Sequence, residues 1–101
     1  MTINFDNIEI MAPDYGGGTL FYHNNSPFTG TIVEYDDKGV LISEFLVLNG
    51  SRHGRSASYD SNGRIIEEGF ISNNRPYGLH KEWDEHGILI KEINFGKEYQ
   101  P

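Results

Sequence analysis

The stretch at residues 54–63, GRSASYDSNG, decides the fold because it is the middle one of three related copies. Shifting the sequence by 24 residues in either direction gives GTIVEYDDKG at residues 30–39 and GLHKEWDEHG at residues 78–87. A fixed period of about 20 to 50 residues is typical of a repeat array. The sequence therefore predicts an architecture built from one repeated unit.

Each copy ends in an aromatic residue followed by Asp-x-x-Gly. Asp at the first position and Gly at the fourth favour a type I turn that closes a hairpin, because Asp accepts bonds from downstream amides and Gly adopts left-handed backbone angles. A second turn falls at Asn49-Gly50 and again at Asn73-Asn74. We therefore predict an all-β fold, an antiparallel β-hairpin meander of about seven to nine strands in a single-layer, twisted, solenoid-like sheet.

We expect a single domain over residues 1–101, because a chain of this length has room for one core. Its N-terminal strand should contain a turn or bulge near Asp6 and Asn7, since the apolar residues change parity there. The predicted divisions are an N-terminal strand and Gly-rich joint at 1–18, an opening half-repeat at 19–29, and repeats at 30–53, 54–77 and 78–101.

Two consecutive apolar residues follow each predicted hairpin tip, and a strand points consecutive side chains to opposite faces. The pairs are Leu41 with Ile42, Ile65 with Ile66, and Leu89 with Ile90. Both faces of the sheet are therefore apolar just after each hairpin tip. We expect one of them to be covered by the N-terminal segment or by something outside the chain, which makes it a candidate binding surface.

Charge and composition restrict the partners. Eight basic and fifteen acidic residues give a net charge of −7, which disfavours nucleic acid and anionic membranes and favours a basic partner. The absence of cysteine fits a reducing cytosol, so we expect a cytoplasmic protein. Neither a signal peptide nor a membrane-spanning run of about 18 apolar residues is expected.

The repeat resembles the MORN-variant repeat of YwqK-type antitoxin and immunity proteins over residues 20–98, and residues 1–18 lie outside this resemblance. The first copy matches at Gly30, Tyr35, Gly39, Leu41, Glu44, Val47, Asn49 and Gly50. The second matches at Gly54, Tyr59, Gly63, Ile65, Glu68, Ile71 and Asn73, and the third at Gly78, Trp83, Gly87, Leu89, Glu92 and Phe95. The resemblance implies a bacterial cytosolic protein that neutralises a toxin by binding it.

Two sets of residues recur at one position of the repeat. Tyr35, Tyr59 and Trp83 should form an aromatic ladder along one face, either holding the hairpins together or anchoring a partner. The second set consists of the glutamates that recur every 24 residues, Glu44, Glu68 and Glu92. These carboxylates either pair within the chain, with Arg55 or Lys81, or contact a partner.

An acidic cluster is specific to the first copy and comprises Glu34, Asp36, Asp37 and Glu44, with Lys38 as its neighbouring cation. It is either solvated turn charge or the contact for a basic toxin, whose association it would accelerate.

No catalytic, cofactor or metal site is expected. The histidines, His23, His53, His80 and His86, lack the paired spacing of a zinc site. We therefore predict a non-enzymatic immunity protein or antitoxin, a monomer or weak dimer, that binds a cognate toxin, with a basic nuclease-type toxin fitting the charge. The alternative is a general protein-interaction or scaffold module of MORN-repeat type. The candidate partner-binding residues are Glu34, Tyr35, Asp36, Asp37, Glu44, Tyr59, Glu68 and Trp83.

Overall fold

A computed structural model describes residues 1–11, 18–73 and 75–98. Within these ranges the fold is all-β, as predicted, and a 3₁₀ turn at Phe5–Asn7 is its helical element. The strands are β1 (Thr2–Asn4), β2 (Glu9–Met11), β3 (Leu20–His23), β4 (Ser26–Pro27), β5 (Gly30–Tyr35), β6 (Leu41–Leu48), β7 (Ser51–Tyr59), β8 (Ile65–Ser72), β9 (Arg75–Trp83) and β10 (Leu89–Asn94).

The described strands form two sheets. Seven lie in the order β1-β5-β6-β7-β8-β9-β10, and three in the order β2-β3-β4. Neighbours from β5 to β10 are antiparallel, which confirms the predicted antiparallel pairing. The N-terminal β1 departs from it, because β1 runs parallel to β5. Between them the chain passes through the smaller sheet and returns in the same direction, so a hairpin cannot join β1 to β5.

The N-terminal segment breaks where the sequence predicted it. Asn4 accepts a bond from the amide of Asp6 at 2.9 Å, and the 3₁₀ turn that follows separates β1 from β2. Residues 12–17 of the predicted Gly-rich joint lie outside the described residues, which resume at Gly18. Gly30 allows β1 to lie close to β5, because a Cβ atom there would be 2.3 Å from the carbonyl oxygen of Met1.

The hairpin tips form as the Asp-x-x-Gly pattern predicts. The Asp36 carboxylate accepts bonds from the amides of Lys38 and Val40, both at 2.9 Å, and Gly39 has a φ of +82°. Asp60 and Asp84 make the equivalent pairs of bonds at 2.8 to 3.0 Å. At the other end of the unit, Asn49 and Asn73 adopt positive φ, whereas Asn74 lies outside the described residues.

The core lies at one end of the seven-stranded sheet. Ile32 is fully buried there, and the Phe21 ring of β3 packs on the Phe45 ring of β6 with centroids 5.4 Å apart. The buried cluster comprises Ile3, Phe21, Phe28, Ile32, Phe45 and Val47. The small sheet thus covers the face that carries Ile32, called the core face below, over β5 and β6. The cover uses Phe21 and Phe28 of the predicted half-repeat together with Ile3 of β1, and it lies over Ile32 and Phe45.

Candidate functional site: a groove and a carboxylate row on the core face

The core face continues past the small sheet into an open groove over β7, β8 and β9. The groove has a volume of about 320 Å³. Its lining residues include Arg52, Ser56, Gly69, Ile71, Pro76 and Phe95. We name this feature the core-face groove.

The groove exists because small residues replace the large residues of the core. Register places Ile32 opposite Phe45, Phe45 opposite Ser56, and Ser56 opposite Gly69. Side-chain volume therefore decreases from Phe45 through Ser56 to Gly69, from a filled core to an open floor. A Cβ atom at position 69 would lie 2.8 Å from Nδ1 of His80, so a larger residue there would force the His80 side chain to move.

An arginine lies at the inner end of the groove. The guanidinium of Arg52 is 4.1 Å from the centroid of the Phe45 ring and 5.9 Å from that of Phe21, which are cation–π contacts. Burial lowers the pKa of Arg52, although an arginine stays charged at physiological pH. In the described part of the chain, its guanidinium has no carboxylate within ion-pair distance.

A row of polar residues borders the groove on the same face. Register places Glu34 opposite Ser43, and the row continues through Ser58, Glu67 and Glu82 to Lys91. We call this line of residues the carboxylate row. Directly opposite residues in a sheet have Cβ atoms about 4.5 to 5.5 Å apart. Glu67 and Glu82 are therefore like charges in direct opposition, which destabilises the free protein.

Two weak contacts partly offset this repulsion. Lys91 places its Nζ 3.5 Å from Oε2 of Glu82 on the adjacent edge strand. His80 places its Nε2 3.7 Å from Oε1 of Glu67, an ion pair only when the imidazole is protonated. The Glu67 side chain is 49% exposed, so its carboxylate remains accessible to a cation from outside.

The opposite face carries a separate cluster that uses three of the predicted partner-binding residues. Arg55 binds Glu44 through Nη1 at 3.0 Å and Glu68 through Nε at 2.8 Å. The hydroxyl of Tyr59 donates to Oε1 of Glu44 at 2.7 Å. This arrangement matches the intramolecular alternative for Glu44 and Glu68, with Arg55 as the predicted cation. Lys81 lies opposite both Glu68 and Glu92 in the register.

The cluster shifts the pKa values of its members. The hydrogen bond from Tyr59, and then the charge and hydrogen bond of Arg55, hold the pKa of Glu44 below its usual value against the opposing effect of burial. Burial and the bond to Glu44 raise the pKa of Tyr59. The hydrogen bond to Glu68 is the largest cause of the raised pKa of Arg55. These shifts keep Glu44 ionised and Arg55 and Tyr59 protonated, which are the states in which they bond to one another.

The acidic cluster predicted in the first copy does not assemble. Glu34 lies opposite Ser43 whereas Val33 lies opposite Glu44, so Glu34 and Glu44 point to opposite faces of the sheet. Asp36 is occupied by the turn amides, as in the other copies, and Asp37 is exposed at the tip. The prediction of one acidic patch was wrong because it used proximity in sequence without strand parity.

The predicted aromatic ladder is not a stack. Tyr35, Tyr59 and Trp83 lie on β5, β7 and β9, and β6 or β8 separates each from the next. Two strand spacings are about 9.5 Å, which is too far for ring contact. Tyr35 is 48% exposed, while Tyr59 bonds Glu44 on the intervening strand. A role for Tyr35 and Trp83 in binding a partner stays a prediction.

Sequence reasoning missed Arg52, Glu67, Glu82 and the groove itself. A signal was present in the repeat alignment. Moving by 24 residues from Ile32 reaches Ser56, and moving by 24 residues from Phe45 reaches Gly69. The middle copy therefore lacks the two largest core side chains of the first, and this substitution indicates a cavity at that level.

Comparisons with family models, with curated proteins and with solved structures each returned no match. Among the described residues, no helix is long and apolar enough to cross a membrane. The same residues contain no group of three or more histidine, cysteine or acidic side chains that could hold a metal ion.

Proposed function

We propose that this chain is an immunity protein or antitoxin that neutralises a cognate bacterial toxin by direct protein–protein binding. On this proposal it is a cytoplasmic, non-enzymatic member of the YwqK-type MORN-variant proteins, with the 24-residue units forming a solenoid-like array. The observation that carries the proposal is the core-face groove bordered by the opposed carboxylates of Glu67 and Glu82. Such a surface suits a partner that supplies both an apolar side chain and a cation.

Binding a cation would relieve a repulsion that the free protein contains. A Lys or Arg of the toxin placed between Glu67 and Glu82 would form two ion pairs and remove the like-charge opposition. An apolar side chain beside it would fill the groove over Gly69. The net charge of −7 would accelerate the encounter with a basic toxin, of which a nuclease is the natural example. Neutralisation would then follow from occlusion of the toxin's active site or substrate groove.

The test is co-expression with the product of the neighbouring reading frame. We expect that product to be lethal alone, harmless with this chain, and co-purified with it. A toxin that still kills in the presence of this chain, or that does not co-purify with it, would overturn the proposal.

Matched charge reversals then locate the surface. Glu67→Lys should weaken binding at least tenfold, and the loss should shrink at high salt because the interaction is electrostatic. Glu85→Lys makes the same change of net charge at a turn where the side chain is 83% exposed, and it should leave affinity unchanged. Equal losses in the two variants would show that net charge, and not the carboxylate row, governs binding.

The alternative, a general protein-interaction or scaffold module, is favoured by one feature, the open edge strand β10, in which every residue is exposed. A scaffold would bind partners without rescuing cells from any toxin. Capture of a partner together with failure of every neighbouring product to kill would select this alternative.

A further inference from the structure

Strand β10 leaves one edge of the large sheet open. It is the last strand in the order, and no described strand pairs with its outer side. All residues of Leu89–Asn94 are exposed, and Ile90 is 65% exposed. An edge of this kind presents unpaired backbone N–H and C=O groups to any extended segment. Lysine often protects such edges. Here Nζ of Lys91 lies 3.5 Å from Oε2 of Glu82 on β9, a weak contact that leaves the Lys91 side chain 57% exposed.

We propose that β10 accepts an extended strand from a different protein, antiparallel to β10, in which the residue order is apolar, basic, acidic, apolar. The first three residues would lie opposite Ile93, Glu92 and Lys91, and the fourth would lie beside Ile90, where the register of β9 and β10 shifts. The inference uses the open edge alone. It does not depend on the core-face groove or on the partner being a toxin.

The proposed order of charges in the incoming strand follows from β9, which pairs with the inner side of β10. On β9, Lys81 lies opposite Glu92 and Glu82 lies opposite Lys91, so β9 meets β10 with opposite charge at both positions. A new strand antiparallel to β10 has the same direction as β9. A basic residue followed by an acidic one therefore repeats on the outer edge the pairing that β9 makes on the inner edge.

A second copy of this chain fits the edge poorly. Two copies paired through antiparallel β10 strands are related by a two-fold axis perpendicular to the sheet, which keeps each face continuous. Residues that oppose each other then come from the same face, whereas Lys91 and Glu92 lie on opposite faces. These two charges never meet in such a dimer, and centring it on either residue opposes like charges. A dimer centred on Ile90 or Ile93 avoids that repulsion but leaves both Lys91 and Glu92 without an opposite charge across the interface. A foreign strand can pair with both charges at once.

Two eight-residue peptides test the inference with the full chain. One contains Val-Lys-Glu-Val at its centre, flanked by threonines, and the other contains Val-Glu-Lys-Val in the same frame. Amide chemical shifts measured during titration should change at β9 and β10, and the first peptide should bind about tenfold more tightly. Equal affinities, or shifts confined to other strands, would overturn the proposal. So would sedimentation showing a dimer through β10 that the first peptide does not dissociate.

Variants of the chain give a second readout. Ile90→Lys places a charge on the edge and should weaken binding of the first peptide, while Ile88→Lys, just before β10, is the matched control at 60% exposure. Exchanging Lys91 and Glu92 should reverse the peptide preference. If that double variant does not fold, the peptide pair and the two lysine variants still decide the question. These measurements do not use rescue from a toxin. The strand-addition proposal and the toxin-neutralisation proposal can therefore each fail without the other.

Discussion

Replacing Arg55 by methionine should lower the free energy of unfolding by about 1 kcal/mol at neutral pH. Arg55 joins Glu44 and Glu68 at 3.0 and 2.8 Å, and the three side chains are 38%, 28% and 25% exposed. Solvent screening at this exposure limits each ion pair to about 0.2 to 1 kcal/mol. For a domain of this size, a change of about 1 kcal/mol lowers the melting temperature by about 4 to 8 °C.

The effect should depend on pH in one direction. The pKa of Glu44 in the folded protein lies below its ordinary value of 4.5. The stabilisation from its ionised form is therefore complete above pH 4.5 and is lost as the pH falls through the folded pKa. The difference between wild type and Arg55→Met should be constant near neutrality and should close in acid.

Thermal unfolding followed by circular dichroism from pH 3 to pH 8 measures both effects. Lys97→Met is the matched control, because it removes the same charge from an exposed residue. If Arg55→Met and Lys97→Met melt at the same temperature at neutral pH, the cluster contributes nothing and the reasoning is refuted. A difference that persists unchanged in acid would refute the assignment to Glu44.

Three further predictions concern the fold. Tyr59→Phe removes the 2.7 Å bond and should raise the pKa of Glu44 toward its ordinary value, as an NMR carboxyl titration can show; an unchanged titration would contradict this. Asp84→Ala should lower the melting temperature at pH 7 more than at pH 3, because its turn bonds hold the pKa of Asp84 low; equal losses would contradict it. Ile32→Ala should cost about 2 to 5 kcal/mol in urea unfolding, whereas exposed Ile90→Ala should change stability by less than about 0.5 kcal/mol; similar losses would place the core elsewhere.

Local chemistry was predictable from the sequence. The Asp-x-x-Gly tips, the break near Asp6 and the pairing of Arg55 each follow from residue types within one hairpin or between neighbouring hairpins. Turn geometry is set by four residues and needs no knowledge of the rest of the sheet. These features were therefore accessible before the structure.

The sequence did not determine the register of the strands, that is, which residues of neighbouring strands lie opposite each other. A shift of one residue moves a side chain to the other face, and the pairing of β5 with β6 separates Glu34 from Glu44 in this way. Bulges add to the difficulty, since the register shifts between Phe45 and Val47 and again between Glu68 and Phe70. The carboxylate row and the groove depend on pairing across several strands, so they became visible only with the structure.

The position of the core at one end of the sheet gives the molecule a gradient of local stability. Strands β5 and β6 share Ile32 and Phe45 with the small sheet, whereas β10 has one strand neighbour and no buried residue. Opening free energies are lowest where few apolar contacts hold a segment, so within the large sheet β10 should fray and exchange its amide hydrogens first. A partner that binds this end would suppress that fraying, and slower hydrogen exchange there would report binding even where no shape change occurs.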